Sequence, residues 1–256
     1  MITFDEAWLK QRADEFKAAL LFLTRLRYGP AEPVGGAAIG HAAWAFPIAG
    51  IIVAAIGALV YWLANRLGLP PLPCAALSVA ATMLVTGALH EDGLADAIDG
   101  FGGGRSREQK LDIMRDSRTG AYGVCALVLS IILRVSALAS LATPALVVPA
   151  LFAAHGAARA MLPVFMFFVP PARSSGLSAA AGLPPRESAG AAAVLGIVIL
   201  GLCLGFNLGL AALIALTVAT AVLAWLSLTQ IDGQTGDVLG AVEQVGEIVV
   251  LLVALL

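Results

Sequence analysis

Stretches without charged residues divide the chain into segments long enough to cross a membrane. The segments with no charged residue, or with a single arginine, are 36–64, 67–89, 119–141, 144–169 and 188–231. A spanning helix needs about 20 mostly apolar residues, so the first four segments each supply one crossing. The fifth supplies two, with a break near Asn207. This pattern predicts an all-α polytopic membrane bundle of six helices, or seven if the apolar tail 248–256 also crosses.

The N-terminal residues follow a different pattern. Charged and apolar residues are mixed from position 5 to position 17, as in an amphipathic helix at a membrane surface and unlike a signal peptide. We expect 1–35 to be an interfacial lead-in, 90–120 to be an acidic active-site segment at the cytoplasmic edge, and 229–247 to be a second cytoplasmic polar segment. All three belong to one membrane-embedded catalytic domain, 1–256.

Composition supports a membrane protein and excludes other classes. Of the 256 residues, 60% are hydrophobic and 12% are charged, whereas soluble domains average about 45–50% apolar and about 25% charged residues. The net charge of −2 gives no basic excess for nucleic acid, and three cysteines are too few for a disulfide scaffold. Lys and Arg concentrate in segments that fall on one side of the predicted bundle. We therefore expect a multi-pass protein of the inner membrane with its polar segments in the cytoplasm.

Five aspartates are spaced to share helical faces. They are Asp92, Asp96, Asp99, Asp112 and Asp116. The first three fall at i, i+4 and i+7 on a helix that continues from the second crossing, and the last two fall at i, i+4 on a second helix. Ser106 and Gln109 form a capping box that begins this second helix.

These rows of carboxylates indicate a bound cation, because like charges on one helical face repel each other. Oxygen donors without clustered His or Cys favour Mg²⁺, or Mn²⁺, over zinc. We predict Asp92, Asp96, Asp99 and Asp112 as the metal ligands. The alternative is a solvated charged loop between two spans.

Basic side chains in the same stretch could bind a phosphate held by the metal. They are Arg105, Lys110, Arg115 and Arg118. This combination predicts phosphoryl transfer. We assign Asp116, Arg115 and Arg118 to catalysis, with Asp116 as general base or as the group that orients the acceptor. Arg105 and Lys110 are assigned to substrate binding.

Two further places carry candidate binding residues. We interpret Gln234, Thr235 and Asp237 as nucleotide contacts; metal ligation by Asp237 and a simple helix start are the alternatives. Arg159 lies inside an apolar span, where a charge costs about 2.5–3.5 kcal/mol on the insertion scale. Such a residue requires a partner, and we predict a substrate group, with structural pairing as the alternative.

Four segments together resemble the cobalamin synthase family. They are FLTRLRYGP (22–30), FPIAG (46–50), HEDGLADAIDGFGGGRSREQKLDIMRDSRTGAYGV (90–124) and IDGQTGDVLGAVEQVGE (231–247). Members are integral membrane adenosylcobinamide-GDP ribazoletransferases of the last stage of vitamin B12 assembly. The resemblance implies that a hydroxyl of α-ribazole, or of its 5′-phosphate, attacks the phosphoryl group joined to cobinamide in adenosylcobinamide-GDP. It also implies that Mg²⁺ is required, that GMP leaves, and that adenosylcobalamin or its 5′-phosphate forms.

The implied partners are these two substrates and the lipid bilayer. A homo-oligomer, or a complex with other enzymes of the late pathway, stays open.

Two other functions also stay open. Asp96-x-x-Asp99-Gly100 followed by Asp112-x-x-x-Asp116 is similar to the CDP-alcohol phosphotransferase pattern, which would imply a phospholipid enzyme. An ion-coupled transporter could also use acids and arginines inside the membrane.

Overall fold

Helices account for the regular structure of the described residues. The structure is a computed structural model that describes residues 6–26, 36–174 and 176–256. Its helices are α1 (Glu6–Leu23), α2 (Gly36–Ala42), α3 (Phe46–Arg66), α4 (Pro71–Thr86), α5 (Leu89–Gly103), α6 (Arg107–Ile113), α7 (Ala121–Leu141), α8 (Pro144–Phe168), α9 (Leu177–Ala181), α10 (Arg186–Ile231) and α11 (Gly236–Val253). These residues form no strand, so the predicted all-α fold is confirmed.

Four helices are long and apolar enough to cross a membrane. They are α3, extended at its start to give Ile39–Arg66, and α7, α8 and α10. The multi-pass architecture predicted from the apolar segments is therefore confirmed.

The longest helix, α10, folds back on itself. Its 46 residues are interrupted at Gly205, whose φ of 75° lies in the left-handed region that glycine adopts at little cost. A Cβ placed on Gly209 would lie 2.9 Å from the carbonyl oxygen of Leu200. Nine residues of straight helix would separate these positions by about 13 Å. The two halves therefore form an antiparallel hairpin and supply two crossings, as predicted, with the break at Gly205.

A sharp bend separates α4 from α5. Only together are the two helices long and apolar enough to cross a membrane, and they meet at 88°. Gly87 and Ala88 both adopt left-handed backbone, with φ of 67° and 55°, and this ends α4 before α5 begins. The prediction that the aspartate helix continues from the second crossing is therefore wrong. The bend turns α5 away from α4 and toward α11.

Helix α11 packs against α5, α7, α8 and α10 in the interior of the bundle. Thr235 is its N-cap, and the Thr235 hydroxyl accepts the N–H of Val238 at 3.3 Å. The segment 229–247 thus contains the end of α10, a short loop and much of α11. The tail 248–256 continues α11 to Val253.

The N-terminal helix α1 packs through its small residues onto the bundle. Ala18, Ala19 and Leu23 are buried in the hydrophobic core of the bundle. The buried Glu15 accepts the indole N–H of Trp44 at 2.6 Å. Residues 1–5 and 27–35 of the predicted lead-in lie outside the described residues.

Candidate active site

The candidate site forms where α5 crosses α11. A Cβ on Gly93 would lie 3.1 Å from the Cα of Gly240, and a Cβ on Gly240 would lie 2.9 Å from the Cα of Gly93. A larger side chain at either position would push the two backbones apart, as at other small-residue helix crossings. Asp92 and Asp96 lie within one turn of Gly93. Asp237 lies within one turn of Gly240, so the close crossing brings carboxylates of both helices together.

Like charges surround the Asp96 carboxylate. Those that act on it are Asp92, Asp99 and Asp237. Burial raises the pKa of Asp237, and the charge of Asp92 raises it further, while the hydroxyl of Thr235 and the charge of Arg173 lower it. A group of carboxylates that repel one another in this way is stabilised by a cation. Its oxygen donors are the type that Mg²⁺ and Mn²⁺ prefer, so the donor set fits a hard divalent cation.

Asp99, predicted as a metal ligand, holds the beginning of α7. Its two oxygens accept the N–H of Gly120 at 2.7 Å and the N–H of Gly123 at 2.9 Å. These donors lie in the first turn of α7, where the helix dipole favours a negative charge. Asp99 is therefore a structural anchor that also contributes negative charge beside Asp96.

Asp112 is separated from the other predicted metal ligands by its position on α6. This helix begins at Ser106, as predicted, because the Ser106 hydroxyl accepts the N–H of Gln109 at 3.3 Å. It ends at Ile113, and Asp112 is exposed on it. The charged groups that act on Asp96 come from α5 and α11 and include Asp237.

Asp116 lies beyond the end of α6 and forms an ion pair with Arg118. The prediction that Asp112 and Asp116 share a helical face is therefore wrong. The Asp116 carboxylate accepts the backbone N–H of Arg118 at 3.1 Å, a local turn that competes with helix continuation. The Arg118 guanidinium also donates to both Asp116 oxygens, at 2.6–3.1 Å.

This ion pair bears on the two roles predicted for Asp116. Hydrogen bonds from Arg118 lower the pKa of Asp116 to about 2. A carboxylate with so low a pKa is a weak proton acceptor at neutral pH. The geometry favours the orienting role, in which Asp116 holds Arg118, whose side chain is 87% exposed, ready for a ligand.

We expect Asp116→Asn to raise the KM for the nucleotide-linked substrate about tenfold, the effect of weakening one charge-assisted contact. Because Asp116 is ionised at every pH above about 4, the pH dependence of kcat between pH 5 and 9 should be the same in both proteins. Steady-state kinetics across this range check the prediction. A fall of kcat of about a hundredfold or more, with loss of a pH limb, would instead identify Asp116 as the general base.

The other predicted binding residues lie in two environments. Arg105 and Arg115 are exposed, and Lys110 is half-buried beside Gly104. Gln234 and Thr235 are each 1% exposed, on the loop before α11. Both polar atoms of the Gln234 amide lack a hydrogen-bond partner among the described residues, which suits a ligand contact.

A second group of polar and charged residues is buried between α5, α7, α8 and α11. Its members are His90, Glu91, Arg134, His155, Arg159, Glu243, Gln244 and Glu247. Arg159 Nη1 lies 2.5 Å from Glu243 and 2.9 Å from Glu247. Arg134 Nη1 lies 3.0 Å from Glu91 and 3.3 Å from Glu247. Both intramembrane arginines therefore have structural partners, which is the alternative raised for Arg159; that residue is only 1% exposed.

Part of this network has the composition of a metal site. Ligand atoms of His155, Glu243 and Glu247 lie within 4.8 Å of one another. Arg159 forms ion pairs with both glutamates, however, and His155 is also paired with Glu247. The carboxylate charges are thus already neutralised by protein groups.

Sequence reasoning missed one basic residue of the site. Arg173, on the loop after α8, places Nη2 3.4 Å from Asp237 Oδ2. The sequence signal was weak, because Arg173 is a lone cation far along the chain from the aspartates. Only the packing of its loop on the loop before α11 brings it to them.

The fold and the site define a multi-pass membrane protein with carboxylates gathered where two of its helices cross. The chain belongs to the cobalamin-5-phosphate synthase family, whose sequence model matches residues 15–255. This confirms the resemblance drawn from the four sequence segments. No solved structure matches the chain.

Curated relatives cover nearly the whole chain, and each carries the name adenosylcobinamide-GDP ribazoletransferase. The protein of Bradyrhizobium diazoefficiens is 57% identical over 240 residues, which are 94% of this chain and 92% of the relative. The protein of Mesorhizobium japonicum is 51% identical over 245 residues, 96% of this chain and 94% of the relative. The protein of Azorhizobium caulinodans is 43% identical, covering 92% of each chain.

Proposed function

We propose that the protein joins adenosylcobinamide-GDP to α-ribazole, or to its 5′-phosphate, in the last stage of vitamin B12 biosynthesis. The observation that carries this proposal is membership of the cobalamin-5-phosphate synthase family over residues 15–255, together with 57% identity to a relative named for this reaction. The cluster of carboxylates at the α5–α11 crossing is the place that we propose for the reaction.

The reaction is a substitution at phosphorus. A hydroxyl oxygen of α-ribazole bonds to the phosphorus attached to cobinamide, and the bond from that phosphorus to GMP breaks. The hydroxyl proton is released to solvent, and GMP leaves with the electron pair of the broken bond. Such transfers depend mainly on positioning and on neutralising the phosphoryl oxygens, so the protein must supply positive charge and an in-line approach.

Asp92, Asp96 and Asp237 are the residues that we propose would hold Mg²⁺, or Mn²⁺. Of the four predicted ligands, Asp92 and Asp96 keep this role, Asp99 instead anchors α7, and Asp237 on the crossing helix α11 replaces Asp112. Oxygens of the three aspartates do not all lie within 4.8 Å of one another, so the side chains must turn inward around the ion. When bound, the ion neutralises negative charge on the phosphoryl oxygens.

We propose that the site faces the cytoplasm and that the protein lies in the inner membrane. Arg107, between the second and third predicted crossings, donates to the carbonyl oxygens of Ala172 and Ile231. Three loops that carry basic residues or the candidate site therefore lie at one end of the bundle. The positive-inside rule supports a cytoplasmic location for that end.

The experiment for this proposal measures nucleotide release by the purified protein in detergent or lipid. We expect GMP only when adenosylcobinamide-GDP, α-ribazole and Mg²⁺ are all present, with adenosylcobalamin formed in equal amount. Omission of each component in turn is the control. Release of CMP from a CDP-alcohol, or solute transport without nucleotide release, would overturn the proposal in favour of the two alternative functions.

A further inference from the structure

Two loops at the candidate site are joined through their backbones. One follows α8 and the other precedes α11. The N–H of Ala172 donates to the carbonyl of Gln234 at 2.8 Å, and the N–H of Gln234 donates to the carbonyl of Pro170 at 2.8 Å. Arg107 fastens the same pair from α6, since it donates to Ala172 and, at 3.1 Å, to Ile231. The backbone on both sides of these contacts is therefore held in place.

Arg173 follows directly after this paired segment. Its guanidinium places Nη2 3.4 Å from Asp237 Oδ2, and its side chain is 16% exposed. The other terminal nitrogen, Nη1, is buried and has no hydrogen-bond partner among the described residues. A buried guanidinium N–H without an acceptor is costly, and so an unpaired donor beside a cluster of carboxylates indicates a ligand oxygen.

The chemical class of that ligand follows from the guanidinium group that would bind it. Guanidinium groups bind phosphate oxygens with two parallel N–H donors and keep their charge at every physiological pH. Asp92, Asp96 and Asp237 leave the site strongly negative. Arg173 forms an ion pair with Asp237 of this cluster, while Arg118 is paired with Asp116.

We propose that Arg173 binds the phosphate groups of adenosylcobinamide-GDP and positions them beside Asp237. This inference rests on the proposed function and adds to it the residue that holds the GDP-linked substrate. The ion pair with Asp237 holds one end of the guanidinium, and Nη1 is available for a phosphate oxygen. Arg173 is thus a binding and positioning residue that sequence patterns did not indicate.

The test uses the full-length protein with unphosphorylated α-ribazole. Adenosylcobinamide-GDP is then the only substrate that carries phosphate. We expect Arg173→Ala to lower kcat/KM for adenosylcobinamide-GDP about a hundredfold, since it removes a charge-assisted contact to the transferring group. The KM for α-ribazole should change less than about twofold. Arg173→Lys should retain an intermediate activity, because lysine supplies the charge without the paired donors. Added guanidinium ion should partly restore Arg173→Ala.

Arg186→Ala is the matched control, because Arg186 is an exposed arginine of the neighbouring segment at the start of α10. Binding of GDP, measured by calorimetry without turnover, should weaken in Arg173→Ala and stay unchanged in Arg186→Ala. If the parent protein releases no GMP, the proposed function fails. If the parent is active and Arg173→Ala keeps its kcat/KM and its GDP affinity, only the role of Arg173 fails. An equal loss toward both substrates, with no guanidinium rescue and a lower melting temperature, would identify a purely structural arginine.

Discussion

Replacement of Asp96 by asparagine should lower GMP release about a thousandfold, which corresponds to about 4 kcal/mol in the activation free energy. Asp96 is the carboxylate on which Asp92, Asp99 and Asp237 all act as like charges. An amide keeps the shape of the side chain but loses the charge that attracts a divalent cation. The remaining carboxylates should then bind the cation too weakly to support phosphoryl transfer. Steady-state GMP release at saturating substrates and several Mg²⁺ concentrations measures the effect.

The matched control for this variant is Asp232→Asn. The Asp232 side chain is 75% exposed at the end of α10, and its φ of 56° suits asparagine. We expect it to retain activity within about twofold of the parent protein. Direct Mn²⁺ binding separates loss of the ion from loss of a later step: Asp96→Asn should bind Mn²⁺ much more weakly, and Asp232→Asn should not. Full activity in Asp96→Asn would contradict the metal site.

Local patterns in the sequence predicted the helices and one face of the site. Apolar length predicted the crossings, including the break in 188–231 that the structure has at Gly205. The i, i+4, i+7 spacing correctly placed Asp92, Asp96 and Asp99 on one helix, α5. Such patterns depend only on helix periodicity and on the length of helix needed to cross a membrane, which a single sequence displays directly.

The partners of that helical face could not be predicted from local spacing. Asp112 follows soon after the first aspartates and matches their type, yet it is the charge of Asp237, on α11, that acts on Asp96. The reason is the contact between Gly93 and Gly240, which lie far apart in the chain and form a crossing only in the folded bundle. The end of α6 was likewise set by a local competitor, the hydrogen bonds between Asp116 and Arg118.

The buried charges were visible in the sequence but were not paired correctly. Arg159 was recognised as a costly residue inside an apolar span. Glu243 and Glu247 were placed in a polar segment, although they lie one turn apart on the buried α11. Arg134 and Arg159 pair with Glu91, Glu243 and Glu247 inside the bundle. Acidic residues on other helices were therefore the signal that pointed to pairing within the bundle.

Arg159→Met should therefore destabilise the protein by about 3–5 kcal/mol, the typical cost of leaving buried charges without their partner. Arg159 lies 2.5 Å from Glu243 and 2.9 Å from Glu247, and all three side chains are at most 2% exposed. Methionine fills much of the same volume, so the loss should come from the uncompensated carboxylates rather than from a cavity. Unfolding of the detergent-solubilised protein, compared with Arg186→Met, measures the change.

A second substitution separates this structural role from substrate binding. In the double variant Arg159→Met with Glu243→Gln, one of the stranded charges is removed, so a substantial part of the lost stability should return. Substrate binding by Arg159, the role first predicted from the sequence, would give the opposite pattern: an unchanged free energy of unfolding and a raised KM. Arg159 is 1% exposed and its charge is paired within the bundle, so we expect the loss of stability to dominate and activity to fall only as the fraction of folded protein falls.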